Sequence, residues 1–192
     1  MQVLDAIRTR RTIGRLVEPA PDRAALDRAF DAAMAAPDHK RLRPWRFLVI
    51  EGDARRQFGT LLAQALQARN PQAGAPELER EGAKVLRAPM IIVAVATLKT
   101  DGAGVPEIEQ MLAAGAATQN LMLALHAQGF GTAWKTGAGA YSDIVRKGLG
   151  LGDHDRIVGF IYAGTASAPP PQPAPTGWKD HVADWSGSTV SG

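Results

Sequence analysis

Residues 113–137 read AAGAATQNLMLALHAQGFGTAWKTG. The first half continues a helix that starts near Pro106, a residue suited to a first helical turn, with Glu107 and Glu109 close behind it and Gly129 just past the end. Ile108, Met111, Leu112, Ala116, Leu121, Met122, Leu123 and Leu125 go nearly all the way round that helix, which predicts burial on most faces. The small residues at 113–117 let another backbone come close. Such a helix is either the hydrophobic centre of a domain or part of a subunit interface. Past Gly129, Thr132-Ala133-Trp134 reads as a short strand that ends in the polar turn Lys135-Thr136-Gly137. A cation, a hydroxyl and a glycine at the mouth of a buried element suit an anionic or planar ligand.

The 192 residues match one domain with one substantial core. A net charge of +3 fits an anionic ligand, and the cations are interleaved with acids rather than segregated as on a nucleic-acid footprint. With no cysteine there is no disulfide, thiolate metal site or cysteine nucleophile. Residues 1–15 hold Asp5 and several arginines and lack the apolar core of a signal peptide, and the apolar run at 90–96 is too short to cross a bilayer. The expected location is the cytoplasm.

Outward from the central stretch, Val3, Leu4 and Ile7 give a short first helix an apolar side. It leads into Arg8, Arg10, Arg11, Thr12 and Arg15, which form either a phosphate clamp or a solvated basic run. Asp22 caps a helix carrying Leu26, Ala29, Phe30 and Ala33 at helical spacing. The basic loop 37–44 precedes a strand at 45–50; on composition its His39 is an ordinary loop histidine, and Trp45 alone makes a weak case for RNA stacking. Asp53 opens an amphipathic helix with Phe58, Leu61, Leu62, Ala65 and Leu66 inside, and 77–86 reads as a mostly exposed helix. The unbroken apolar run 90–96 is a strand buried on both faces. Residues 99–105 form a candidate lid, Ser142 can cap a short helix, and 156–164 is a strand. Residues 169–175 are extended by their prolines, leaving Trp178 and Trp185 as the anchors of the tail.

Several chemical motifs fail on their context. Gly129-Phe130-Gly131 lacks the third glycine of a dinucleotide fingerprint and follows a helix rather than a strand. Lys135-Thr136 ends like a phosphate loop, but Trp134 stands where glycine is needed. Asp153-His154-Asp155 are adjacent residues whose side chains point apart, a poor metal cluster. The four histidines are scattered, and His126 is accounted for by the dipole at its helix C-terminus. No side chain stands out as a catalytic nucleophile, so the chemistry of an enzyme here belongs to a cofactor.

In order, the chain presents RRT at 10–12, APDHKRLRPWRF at 36–47, Ala88-Pro89 before the buried strand and GAATQNLMLALHAQGFGTAWKTG at 115–137. Over residues 1–165 it resembles the FMN-dependent nitroreductases, and among them the short YdjA-type members. The resemblance implies an α+β fold: a mixed, mostly antiparallel sheet flanked by helices, in a homodimer with the central helix at the interface. It implies a single domain over 1–192, with 166–192 an extended Pro-rich tail. FMN is expected between subunits, its phosphate and ribityl held by Arg10, Arg11 and Thr12, its ring lined by Trp134, Lys135 and Thr136, and Ala35 and His39 approaching from the partner. Arg41 and Arg43 replace the Asn and Gln of the commoner N-x-Q-P-W pattern. Longer relatives bring a basic residue near the C-terminus to the phosphate; here either Lys135 is expected to replace it or the phosphate site relies on the N-terminal arginines.

The implied activity is ping-pong transfer from NAD(P)H, a co-substrate, through FMN to a nitroaromatic, quinone or similar small-molecule acceptor, with no catalytic side chain, metal, nucleic acid or membrane involved. Alternatives on the same fold are a reductive dehalogenase, a flavin-fragmenting enzyme or a non-catalytic flavin-binding protein.

Overall fold

The computed structural model describes residues 1–100, 104–169 and 177–187. Its centre is strand β3 (Met90–Thr97), buried along its whole apolar run. Alternation along the strand divides the core in two. Ile91, Val93 and Val95 pack with Phe58, Leu62 and Phe160 on one face of the sheet. Met90 and Ile92 pack with Leu26, Leu121 and Leu125 on the other. Strands β2 (Trp45–Glu51) and β5 (Asp155–Ala166) flank β3 antiparallel, with Ile50 opposite Ile91 and Val93 opposite Phe160. Strands β1 (Leu16–Val17) and β4 (Gly131–Lys135) also pair with β5, again antiparallel. A single parallel bridge, Thr12 to Thr132, makes the arrangement mixed.

Helices α3 (Ala54–Arg69) and α6 (Asp143–Gly148) cover the first face, and α4 (Ala75–Ala83) packs on the outside of α3. Helices α2 (Arg23–Met34) and α5 (Glu107–Ala127) cover the second, and α1 (Val3–Thr9) lies against α5. This is the expected α+β architecture. The Asp22 carboxylate accepts the Ala25 N–H at 2.8 Å and caps α2 as its position implied.

Other expectations change. Burial of α5 on most faces does not hold within one protomer: Ala117, Leu121 and Leu125 face the sheet, while Ile108 and Leu112 are 64% and 66% exposed, covered by no element among the described residues. Val3, Leu4 and Ile7 of α1 are exposed as well. The helix expected at 77–86 begins at Ala75 and tightens into a 3-10 turn at Lys84–Arg87, whose Val85 is buried under the sheet. Ser142 stands at the α6 cap position, yet its hydroxyl makes no capping bond. Trp178 and Trp185 do not anchor the tail on the described residues, for both are exposed. Most of the proline run 169–175 and the centre of the candidate lid, 101–103, lie outside the described residues. The lid's base is fastened: the buried Gln110 amide accepts the Lys99 N–H at 2.7 Å and donates to the Lys99 and Val105 carbonyls at 3.0 Å each. Asp155 is a strut, accepting from Arg46 Nη2 at 2.8 Å, Thr97 Oγ1 at 2.7 Å and the Gly152 N–H at 2.8 Å.

Helices α3 and α4 meet where Gly59 faces Gly82, and a Cβ at 59 would stand 2.5 Å from the Gly82 carbonyl oxygen. The obstacle is backbone and cannot swing aside. Gly59→Ala is expected to cost about 2 kcal/mol of stability by forcing the helices apart. Chemical denaturation checks it, and an unchanged midpoint contradicts the close crossing.

Candidate functional site

The site is built where the N-terminal segment meets β4. After α1 ends, the Ile13 N–H donates to the Thr132 carbonyl at 3.0 Å, and Thr12 pairs with Thr132 as a parallel bridge. Gly131 permits this approach, since a Cβ there would stand 2.6 Å from Leu16 Cδ2 and 3.1 Å from Ile13 Cγ1. Arg10, Arg11 and Thr12 are thereby registered against the strand that ends in Trp134 and Lys135. The Trp134 indole lies across Gly159, where any Cβ would overlap it, and its Nε1–H donates to the Val158 carbonyl at 3.2 Å. The turn beyond Thr136 depends on Gly137, at φ 61° and ψ −177°, a region essentially closed to side-chain-bearing residues.

This turn opens on a cleft of about 550 Å³. Ile13, Gly14 and Trp134 to Gly137 form one wall; Arg69, Glu81, Lys84 and Arg87 line it too, from α3, α4 and the 3-10 turn. Phe160 and Tyr162 of β5 also line it. Burial raises the Tyr162 pKa, with the Arg87 charge opposing and Glu81 adding to the rise. Sequence reading missed Arg69, Glu81, Lys84 and Arg87. Their one local signal is the spacing of Glu81, Lys84 and Arg87 three apart, which sets them on one side of a tight helical turn.

At the N-terminal end, Arg11 Nη1 donates to the Arg10 carbonyl at 2.7 Å, while Arg11 Nε is buried without an acceptor among the described residues. A buried donor left unpaired is costly and marks a place for an anionic oxygen. His126 Nε2 lies 2.8 Å from Thr9 Oγ1. Burial, with the charges of Arg10 and Arg11, lowers the His126 pKa. His126 does stand in the last turn of α5, as its position implied, and Arg10 and Arg11 are the cations beside it.

Ala35 and His39 are placed elsewhere. Ala35 is the C-cap of α2, and His39 follows in a 3-10 turn, its Nδ1 2.6 Å from Glu109 Oε2 in the first turn of α5. His126 stands in the last turn of the same helix, so the two ends are about 25 Å apart at 1.5 Å per residue. One protomer therefore holds Arg10, Arg11 and Thr12 near Trp134, Lys135 and Thr136, and keeps His39 at the far end of α5, while the last turn of α2, which Ala35 caps, lies beside Asn120 in the middle of α5. The loop after His39 is strained: Lys40, Arg41 and Arg43 all have positive φ, and the Arg43 N–H is held by Asp38 Oδ2 at 2.6 Å.

Gly137→Ala is expected to lower stability by about 1–3 kcal/mol although no atom lies within 4 Å of the added methyl, because the backbone conformation alone demands glycine. Unfolding curves compared with wild type test this, and equal stability would show that the turn relaxes freely.

The family model described as Nitroreductase family matches residues 7–165. The Escherichia coli (strain K12) protein named "Putative NAD(P)H nitroreductase YdjA" is 41% identical over 165 residues, 86% of this chain and 88% of that one. A Desulfovibrio desulfuricans structure, "putative nitroreductase in complex with FMN", superposes with a TM-score of 0.75 at 27% identity, covering 96% of this chain and 97% of that one. A nitroreductase-like family protein from Bacillus cereus shares the fold with a TM-score of 0.82 at 23% identity, over 97% of each chain. Among the described residues no helix is long and apolar enough to cross a membrane. The chain belongs to the nitroreductase family.

Proposed function

We propose that this protein is an FMN-dependent oxidoreductase that draws electrons from NAD(P)H and passes them to a nitroaromatic, quinone or similar acceptor. The observation that carries the reading is the Ile13 to Thr132 hydrogen bond, which brings Arg10, Arg11 and Thr12 and the turn at Trp134, Lys135 and Thr136 to one place. The residues present fit FMN. Arg10 and Arg11 offer guanidinium groups for a phosphate of nearly two negative charges, and the unpaired Arg11 Nε supplies a buried donor for one of its oxygens. Thr12 adds a hydroxyl, and Lys135 supplies the further cation that longer relatives take from their C-terminus. Trp134, Lys135 and Thr136 border a cleft wide enough for a planar ring. The Gly137 conformation fixes the backbone at this edge.

When bound, FMN supplies the two-electron exchange between NAD(P)H and acceptor in ping-pong order. The protein's part is to hold the ring, neutralise the phosphate and present a cleft that admits one planar partner at a time. No side chain is assigned as an acid or base.

The site is completed by a second copy. His39, held at Glu109, lies at the opposite end of α5 from the arginines of its own protomer, and two-fold pairing through the exposed Ile108 and Leu112 face would let the partner subunit's Ala35 and His39 complete the site. The comparatives' NAD(P)H names and the FMN of the Desulfovibrio structure support the cofactor and co-substrate.

Purified protein is expected to be yellow, or to become so on reconstitution with FMN, and to bleach on anaerobic addition of NADH or NADPH. Arg10→Ala is expected to weaken FMN binding at least about tenfold, by loss of a charge-assisted pair. Protein that binds no flavin, or an unchanged Kd in the variant measured by flavin fluorescence, contradicts the assignment.

A further inference from the structure

The cleft beside the Trp134 turn does not end at the residues assigned to FMN. A second depression of about 520 Å³ adjoins it and shares Leu62, Arg69, Glu81, Ala138 and Gly139 with it. The extension is lined by Ala65, Leu66 and Ala68 of α3, by Tyr141, which is 83% exposed, by Ile144, and by Ser142 and Asp143, whose carboxylate is ion-paired with Arg146 at 3.1 Å. Its lining is therefore mainly aliphatic and aromatic, open to solvent on one side, and of a width set by Gly139: a Cβ there would stand 2.6 Å from Leu62 Cδ2.

Charge is distributed unevenly around the junction. Lys84 is ion-paired with Glu81, and that pair cancels. Arg69 and Arg87 make no hydrogen bond or ion pair with any described residue, and both are exposed at the cleft. Arg69 is common to both depressions, whereas Arg87 lines only the first. The junction thus offers an aliphatic slot with an uncommitted guanidinium at its edge, an arrangement that pairs a planar ring with a carboxylate or sulfonate.

Resting on the proposed reductase function, we propose that the slot between α3 and the segment 138–144 is the acceptor subsite, and that it selects aromatic acceptors bearing an anionic substituent, with Arg69 as the residue that reads the charge. Tyr141 and Leu66 contact the ring, and the carboxylate or sulfonate lies on the Arg69 guanidinium. Arg69 is a specificity residue here and takes no part in electron transfer.

The test separates charge from ring. Benzoate and benzamide have the same ring and differ in charge, and neither is reduced. Their affinities for flavin-loaded wild-type protein are measured by calorimetry at low ionic strength. Benzoate is expected to bind about fivefold tighter, a modest factor because Arg69 is exposed, and the preference is expected to shrink in 0.5 M salt. In Arg69→Gln the benzoate to benzamide ratio falls to about one, and Arg69→Lys restores part of it. The ratio of kcat/KM for 4-nitrobenzoate over 4-nitrobenzamide follows the same order. Equal affinities in wild type, or a preference that survives Arg69→Gln, overturn the proposal. Tyr141→Ala provides the second variant: loss of affinity for both ligands supports the slot, and unchanged affinity for both places the ring elsewhere. A protein that binds benzoate selectively through Arg69 yet oxidises no NAD(P)H would retain the subsite and refute the reductase reading, so the two failures are distinguishable.

Discussion

One backbone hydrogen bond, from the Ile13 N–H to the Thr132 carbonyl, sets the position of the N-terminal cations. Residues 10–12 have no sheet partner of their own beyond the Thr12 bridge, so without this fastening they would be a basic tail. With it, Arg10 and Arg11 are held at a fixed distance from the strand that ends in Trp134 and Lys135. The fastening relies on a missing side chain, because Gly131 is where Ile13 and Leu16 come to rest. It relies also on β5, whose long edge carries β4 and so stations that strand beside the core formed by β3. The site therefore inherits its rigidity from the most buried strands of the protein.

Helix α5 sets the other dimension. Its sheet-facing side is packed by Ala117, Leu121 and Leu125, and its length separates the histidine at Glu109 from the histidine near the arginines. Its outward side leaves Ile108 and Leu112 uncovered, and Leu4 and Ile7 of α1 are exposed as well. In the proposed assembly, pairing of two copies would cover this apolar face and bring the separated residues together in one contact.

Much of the fold could be read from local patterns. The unbroken run at 90–96 announced a strand buried on both sides, and the 3.6-residue periodicity with Asp22 announced α2, because these signals are carried by neighbouring residues. The turn at 135–137 was visible as a polar patch after a short strand. Arg69, Lys84 and Arg87 were not visible, since each sits on an ordinary amphipathic or exposed helical segment and only the packing of α3 and α4 turns them to one cleft. The same limit applies to α5: a helix apolar all round indicates burial, and only the folded protomer shows which faces are left for another copy. Asp155 carried a misleading local signal, for its neighbours suggested a metal cluster while its partners, Arg46 and Thr97, come from other strands.

A crystal structure of the protein with FMN tests the central claim most directly. It is predicted to show the phosphate on Arg10 and Arg11, the ring along Trp134 to Gly137, and a second protomer's 35–39 segment closing the crevice. A flavin whose phosphate lies on Arg69 or Arg87, or one enclosed by a single protomer, would contradict it.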